Sequence, residues 1–238
     1  MPGPTAALRA AFVLASALAA TAPAQADYAP FQGYVEMPHA LAPMIMGNLA
    51  TEHLKHLNER RAQGALAAAP AEATMAPPAG APVGPHALAA TFPPERRAQL
   101  EQAFTTALQQ YHQLEARFAI PRNDVAGAMA AYIAGSYMAY RNVDLPDGDF
   151  RTLVGQMRGV LSDSPAFRGS TALQRREIYE QLAIVGMLMA TSHEAFKRGQ
   201  ATPDAAANFR RTGKSNLETL LKTDADRVSV SGHGLEIR

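Results

Sequence analysis

Residues 175–198, RREIYEQLAIVGMLMATSHEAFKR, place an apolar centre between two charged ends. At about 100° per residue, one set of side chains falls within an arc of roughly 120°. The members of this arc are Ile178, Tyr179, Leu182, Val185, Gly186, Met189, His193 and Phe196. Ile184, Met187 and Leu188 carry apolar character around the middle of the stretch. The pattern predicts a helix that other helices surround.

The polar groups of this helix do not converge on one spot. Glu177, Glu180 and Glu194 lie outside the arc that holds His193. Because an acid and a base must reach the same substrate atom, this helix alone does not form a catalytic site. A neutral core histidine, or one stabilised near the helix C-terminus, accounts for His193. The candidates for ligand binding are Tyr137, Tyr140, Glu180 and His193.

The flanking sequence has the same helical periodicity. Residues 94–118 repeat one apolar stripe, and residues 125–141 carry a bulky face opposite a face of small residues, so that this second helix should be central. Further helices begin near Asp147 and at Thr202. The tail 226–238 alternates around the turn sequence SGHG. We therefore expect an all-α fold, a compact bundle of about five helices with a short extended or hairpin C-terminal tail, over residues 95–238.

The first 26 residues have the pattern of a secretory signal peptide. Arg9 precedes an acid-free apolar run over residues 10–22, and Ala24-Gln25-Ala26 forms a cleavage site. A run of about 13 residues is shorter than the roughly 20 that span a bilayer as a helix. The pattern predicts cleavage after Ala26, export to the periplasm or the medium, and no stable membrane anchor.

Two segments separate the signal peptide from the predicted bundle. Residues 27–63 contain a weak amphipathic helix, which Pro43 restricts to the part that follows it. Residues 64–94 consist mostly of alanine, proline and glycine, a composition that predicts a disordered linker. His53 and His56 lie three residues apart, a spacing that makes them candidate metal ligands, although a tight site requires a third or fourth ligand.

Composition restricts the classes of partner. Removal of residues 1–26 takes away Arg9 from 22 basic residues and none of the 21 acidic residues, which leaves 21 of each. A chain without excess charge lacks the long-range field that attracts nucleic acid. The sequence contains no cysteine, so its core forms without disulfides and no thiol nucleophile is present.

The usual catalytic motifs are absent from the sequence. It lacks G-x-S-x-G, a phosphate-binding G-x-x-x-x-G-K, a dinucleotide fingerprint and H-E-x-x-H. Asp144, Asp147 and Asp149 resemble part of a calcium loop but lack its spacing and terminal glutamate, which favours helix capping. The sequence therefore predicts no catalytic residue and no cofactor.

Several separated segments together resemble one family. RNDVAGAMAAYIAGSYMAYR, QMR, RREIYEQLAIVGM and LETLLKTDADRVSVSGHGLEI, within residues 114–237, are similar in order to domain-of-unknown-function family 6683. The resemblance implies an exported bacterial helical protein and transfers no functional residue. It is carried by Asn123, Asp124, Tyr137, Tyr140, Arg176, Glu177, Tyr179 and Glu180.

The sequence leaves two functions open. The first is a non-catalytic interaction or structural protein that contacts an unknown protein or the cell envelope. The second is a small-ligand-binding protein or enzyme with a site between the second and fourth helices of the bundle.

Overall fold

The computed structural model describes residues 69–78, 80–199 and 202–238. These residues form seven α-helices, so the expected number of five was wrong, and an antiparallel hairpin follows the last helix. The helices are α1 (Gly84–Ala90), α2 (Pro94–Phe118), α3 (Val125–Arg141), α4 (Asp147–Asp163), α5 (Pro165–Arg168), α6 (Ala172–Lys197) and α7 (Pro203–Leu221). The strands are β1 (Val228–Ser231) and β2 (Gly234–Ile237).

The central position of α3 is confirmed. Fourteen of its 17 residues are buried, and it packs against α4, α6 and α7. Its small residues permit close approach to α6: a β-carbon on Gly135 would lie 2.5 Å from the carbonyl oxygen of Gly186. On the side of α7, a β-carbon on Gly213 would lie 2.7 Å from the carbonyl oxygen of Ser136. The two glycines thus let α3 contact helices on two sides at backbone distance.

The apolar stripes predicted for the other helices form the core. The buried members on α2 are Leu100, Phe104, Leu108, Tyr111, Leu114 and Phe118. Those on α4 are Phe150, Leu153, Val154, Met157 and Leu161. On α6 the whole predicted arc is buried except Phe196, which is half-buried and packs edge-on against Phe209 of α7.

Side chains cap three of the long helices at their starts. The Asp124 carboxylate accepts a hydrogen bond from the Ala126 amide at the start of α3. Thr171 and Gln174 form a capping box at the start of α6, and Thr202 caps α7 before Pro203.

The two additional helices are short and lack a long apolar stripe. Helix α1 lies inside the segment expected to be a linker, and Leu88 and Ala89 bury it against α2 and α6. The small side chains of α1 are enough to bury it because α2 and α6 contribute the larger apolar side chains of this contact. Helix α5 is a single turn that Ser164 caps through the amide of Phe167. One turn is too short to produce a recognisable period.

The tail folds back as the expected hairpin. Val228 pairs with Ile237 and Ser231 with Gly234. Gln156 of α4 holds the hairpin, because its amide nitrogen donates to the Leu235 carbonyl at 2.8 Å and its oxygen accepts from the Leu235 amide at 2.7 Å.

The predicted signal peptide, the segment 27–63 with His53 and His56, and the beginning of the predicted linker lie outside the described residues.

Candidate functional site

The candidate Glu180 lies on α6 and binds the segment that leads into α1. Its Oε2 accepts hydrogen bonds from the amides of Val83 at 2.7 Å and Gly84 at 2.5 Å. Its Oε1 accepts from Arg176 Nε at 2.9 Å, and only 4% of Glu180 is exposed. The carboxylate thus caps the start of α1 with negative charge, where the helix dipole favours it.

Arg176 completes this contact from the same helix. Its Nη2 donates to the carbonyls of Gly80 at 3.1 Å and Ala81 at 2.7 Å. The ion pair therefore satisfies both donors and acceptors of one short stretch of backbone. Gly84 lies so close to α6 that a β-carbon there would be 2.6 Å from Cβ of Glu180.

A second contact secures the same segment further upstream. Thr74 donates to Asp124 Oδ1 at 2.6 Å, and the amide of Ala76 donates to the Asn123 carbonyl at 2.8 Å. The other carboxylate oxygen of Asp124 accepts from Arg158 of α4 at 2.7 Å. We call residues 70–78 and 80–83 the strap, since these two contacts hold the segment near both of its ends.

His193 lies near the opposite end of α6. Only 2% of it is exposed, and its Nε2 has no hydrogen-bond partner. The nearest acidic atom is Asp144 Oδ1 at 3.4 Å, in the loop between α3 and α4. The sequence indicated the inward direction of this side chain but not its neighbour from another element.

The two candidate tyrosines lie on the last turns of α3. The Tyr140 hydroxyl donates to Asp226 beyond α7, and Lys214 of α7 donates to the other oxygen of Asp226 at 3.2 Å. The hydrogen bond to Asp226 raises the pKa of Tyr140. Tyr137 is half-buried against the core. Tyr140 and Lys214 therefore tie α3 and α7 to the segment that precedes the hairpin.

The structure does not bring all four candidates together. Glu180 and His193 are 13 positions apart on one continuous helix, which corresponds to about 20 Å at about 1.5 Å per residue. One small ligand cannot contact both side chains. A site that uses Glu180 therefore differs from a site that uses His193.

A buried polar cluster that the sequence analysis missed lies between α2 and α6. Tyr179 donates to Glu115 Oε1 at 2.8 Å, and Glu115 is only 1% exposed. Glu115 Oε2 and the Tyr111 hydroxyl have no hydrogen-bond partner, although Arg122 Nε lies 3.6 Å from that oxygen. Burial raises the pKa of Glu115 to about 7, against the lowering effects of Tyr179 and Arg122.

The burial of Glu115 could have been predicted from its position relative to the apolar stripe of its helix. It directly follows Leu114, and it lies four positions after Tyr111, which is within the stripe. That spacing places the carboxyl on the buried side and was the available signal.

An apolar cavity of about 30 Å³ lies where α2, α3, α4 and α6 meet. Its walls include Gly135 and Met138 of α3, Gly186 and Ala190 of α6, and Phe118 of α2. This volume corresponds to only a few water-sized spheres. None of the four candidate residues lines this cavity.

None of the helices within the described residues combines the length and the apolar content required to span a membrane.

Comparison with known proteins gives one family match. The model of a family described as "Family of unknown function (DUF6683)" matches residues 5–238. No curated protein and no solved structure matches the chain.

Proposed function

This chain belongs to the DUF6683 family of unknown function, and on that premise we propose that it is an exported bacterial protein, periplasmic or secreted, that acts without catalysis. Its bundle holds the strap, and the strap leads to the part of the chain that contacts another protein or the cell envelope.

The strap is the observation that carries this proposal. The strap is held against the bundle at its two ends by four residues that also carry the family resemblance. They are Asn123, Asp124, Arg176 and Glu180. The strap joins the bundle to the part of the chain that precedes residue 70. The carboxylates of Asp124 and Glu180, which bind the strap, also form buried ion pairs with arginines at 2.7 and 2.9 Å. These contacts support an architectural role for the two carboxylates.

The sequence supports the remaining parts of the proposal. Arg9, the apolar run over residues 10–22 and the Ala24-Gln25-Ala26 pattern favour export with cleavage after Ala26. The balanced charge of the mature chain favours a protein or envelope partner over nucleic acid. The absence of cysteine disfavours a lipid anchor on a signal-peptide cysteine.

Native mass spectrometry of the protein isolated gently from its own cells tests the proposal. We expect a chain that begins at Asp27 and carries a second polypeptide in fixed stoichiometry. Glu180→Ala should lower the occupancy of that polypeptide, because it releases the strap, whereas Glu177→Ala on the same helix should leave it unchanged. A bare chain that retains residues 1–26, or a substrate turned over by the protein, would contradict the proposal.

The cavity favours a second candidate function, a small-ligand-binding protein or enzyme with a site between α3 and α6. Its walls come from both helices and are apolar at every lining residue. A small apolar molecule retained in the native spectrum, and lost when Ala190→Leu fills the cavity, would support this alternative. Ala166→Leu, at an exposed position of α5, is the control.

A further inference from the structure

The end of α6 combines a buried imidazole with two carboxylates. His193 Nε2 is without a hydrogen-bond partner in a side chain that is 98% buried, and it faces Asp144. Glu194, the next residue of α6, is half-buried beside it. One ligand atom from each of Asp144, His193 and Glu194 lies within 4.8 Å of the other two.

We propose that Asp144, His193 and Glu194 bind a divalent cation of the Zn²⁺ class. An imidazole nitrogen with two carboxylate oxygens is a donor set that suits first-row divalent ions. In a tetrahedral zinc site, bonds of about 2.0–2.1 Å separate two ligand atoms by about 3.4 Å. His193 Nε2 and Asp144 Oδ1 are 3.4 Å apart. This pair therefore has the spacing of two ligands, and Glu194 closes the third side.

The orphaned nitrogen is the observation that separates this cluster from an ordinary acidic patch. A buried ring nitrogen without a partner is costly to leave unsatisfied, and a bound cation would satisfy it. A second His–carboxylate pair within the described residues, His86 with Glu101, has no such feature, because its histidine side chain is 77% exposed. Of the two pairs, only the cluster at the end of α6 has a buried ligand aimed at its acids.

Lys197 is the competing cation. Its Nζ lies 2.6 and 2.7 Å from the two oxygens of Asp144 and 4.0 Å from Glu194 Oε1. The ammonium balances the carboxylates when no metal is bound and swings outwards when the cation enters. Its side chain is 36% exposed, which gives it room to move. Binding is thus an exchange of one cation for another.

The protonation states suit this exchange. Burial lowers the pKa of His193, which keeps the ring neutral and able to donate its lone pair at neutral pH. Burial alone would raise the pKa of Asp144, but the combined effects of Lys197 and His193 outweigh burial and lower that pKa overall. The charged groups that face His193 are Asp144, Glu194 and Lys197.

The test is titration of the full chain with Zn²⁺ by calorimetry, repeated with Co²⁺ by visible absorption. We expect one ion per chain, with tetrahedral Co²⁺ bands. Asp144→Asn and Glu194→Gln should each weaken binding roughly tenfold or more, and both positions are exposed enough to leave the core intact. Lys197→Met should tighten binding by a similar factor, because it removes the competitor.

Two control variants separate this site from other histidines. His53→Ala/His56→Ala and His86→Ala should leave the affinity unchanged. Unchanged binding in Asp144→Asn and Glu194→Gln would overturn the proposal, as would a failure of the natural chain to bind Zn²⁺. Binding that is seen only after Lys197 is replaced would also overturn it, since Lys197 would then hold the position permanently.

Discussion

Gly135 and Gly186 bring the backbones of α3 and α6 into direct contact, with the Gly186 carbonyl oxygen 2.5 Å from where a β-carbon of Gly135 would lie. A β-carbon on Gly186 would in turn lie 2.6 Å from backbone atoms of Ala131 and Tyr132. Each helix can therefore approach the other only because both residues lack a side chain. This contact sets the distance between the two central helices.

Gly186→Ala should lower the free energy of unfolding by about 1–3 kcal/mol, because the methyl group forces two backbones apart. The loss should appear despite the higher helix propensity of alanine, worth roughly 1 kcal/mol. Urea unfolding followed by circular dichroism measures the change. Gly155→Ala on α4 is the matched control, since nothing lies within 4 Å of its β-carbon position. It should stabilise by up to about 1 kcal/mol, and equal effects at both sites would refute the close contact.

Glu115 should make stability depend on pH. Burial raises its pKa from 4.5 to about 7 in the folded protein, so the folded state keeps a proton that the unfolded chain has already released. The contribution of this group to stability is therefore greatest below about pH 4.5 and falls by about 3 kcal/mol as the pH rises to about 7.

Glu115→Gln removes this titration and keeps an acceptor for Tyr179. The variant should be more stable than the natural chain at pH 8, by up to about 3 kcal/mol, and should match it near pH 4.5. Thermal unfolding of both proteins at the two pH values measures the difference. Burial lowers the pKa of His112 to about 4. This histidine therefore makes both proteins more stable as the pH rises from about 4 to 6.5, opposite to the effect of Glu115. The difference between the two proteins at each pH removes the histidine contribution. A difference that does not change with pH would be inconsistent with a buried, titrating Glu115.

Gln156→Met should release the hairpin from α4. The change removes both hydrogen bonds to Leu235 and leaves a buried amide and a buried carbonyl without this partner. We expect a loss of about 0.5–1.5 kcal/mol for each of the two hydrogen bonds that the change removes, with faster hydrogen exchange in residues 228–237. Gln113→Met at an exposed position of α2 is the control. Protection of the hairpin that survives the change would show that strand pairing alone holds it.

The sequence was sufficient for the parts of the fold that repeat. Long stripes such as the one on α2, the bulky and small faces of α3, and the capping residues Asp124, Thr171 and Thr202 all follow from local chemistry, and the structure agrees with them. Helix α1 was missed because its three alanines and its proline resemble a linker until α2 and α6 cover them. Its stability depends on tertiary contacts that a local pattern does not contain.

The candidate sites show the same division. The inward direction of His193 follows from the period of α6, but its neighbour Asp144 is 49 positions earlier in the chain and belongs to a loop. The partners of Glu180 are backbone amides of the segment before α1, and backbone groups leave no mark in a sequence. Both sites form between residues that are far apart in the sequence, and their distances are known only from the folded structure.

Hydrogen exchange at Val83 and Gly84 tests most directly whether Glu180 serves to hold the strap. In the natural chain both amides should be protected, since the carboxylate accepts from them at 2.7 and 2.5 Å. In Glu180→Ala their exchange should rise about tenfold or more, while amides of α3 such as that of Ile133 serve as the reference for global opening. The change should be confined to the strap and α1, and Glu177→Ala should cause none. Unprotected amides in the natural chain, or equal rises at Gly84 and Ile133, would contradict it.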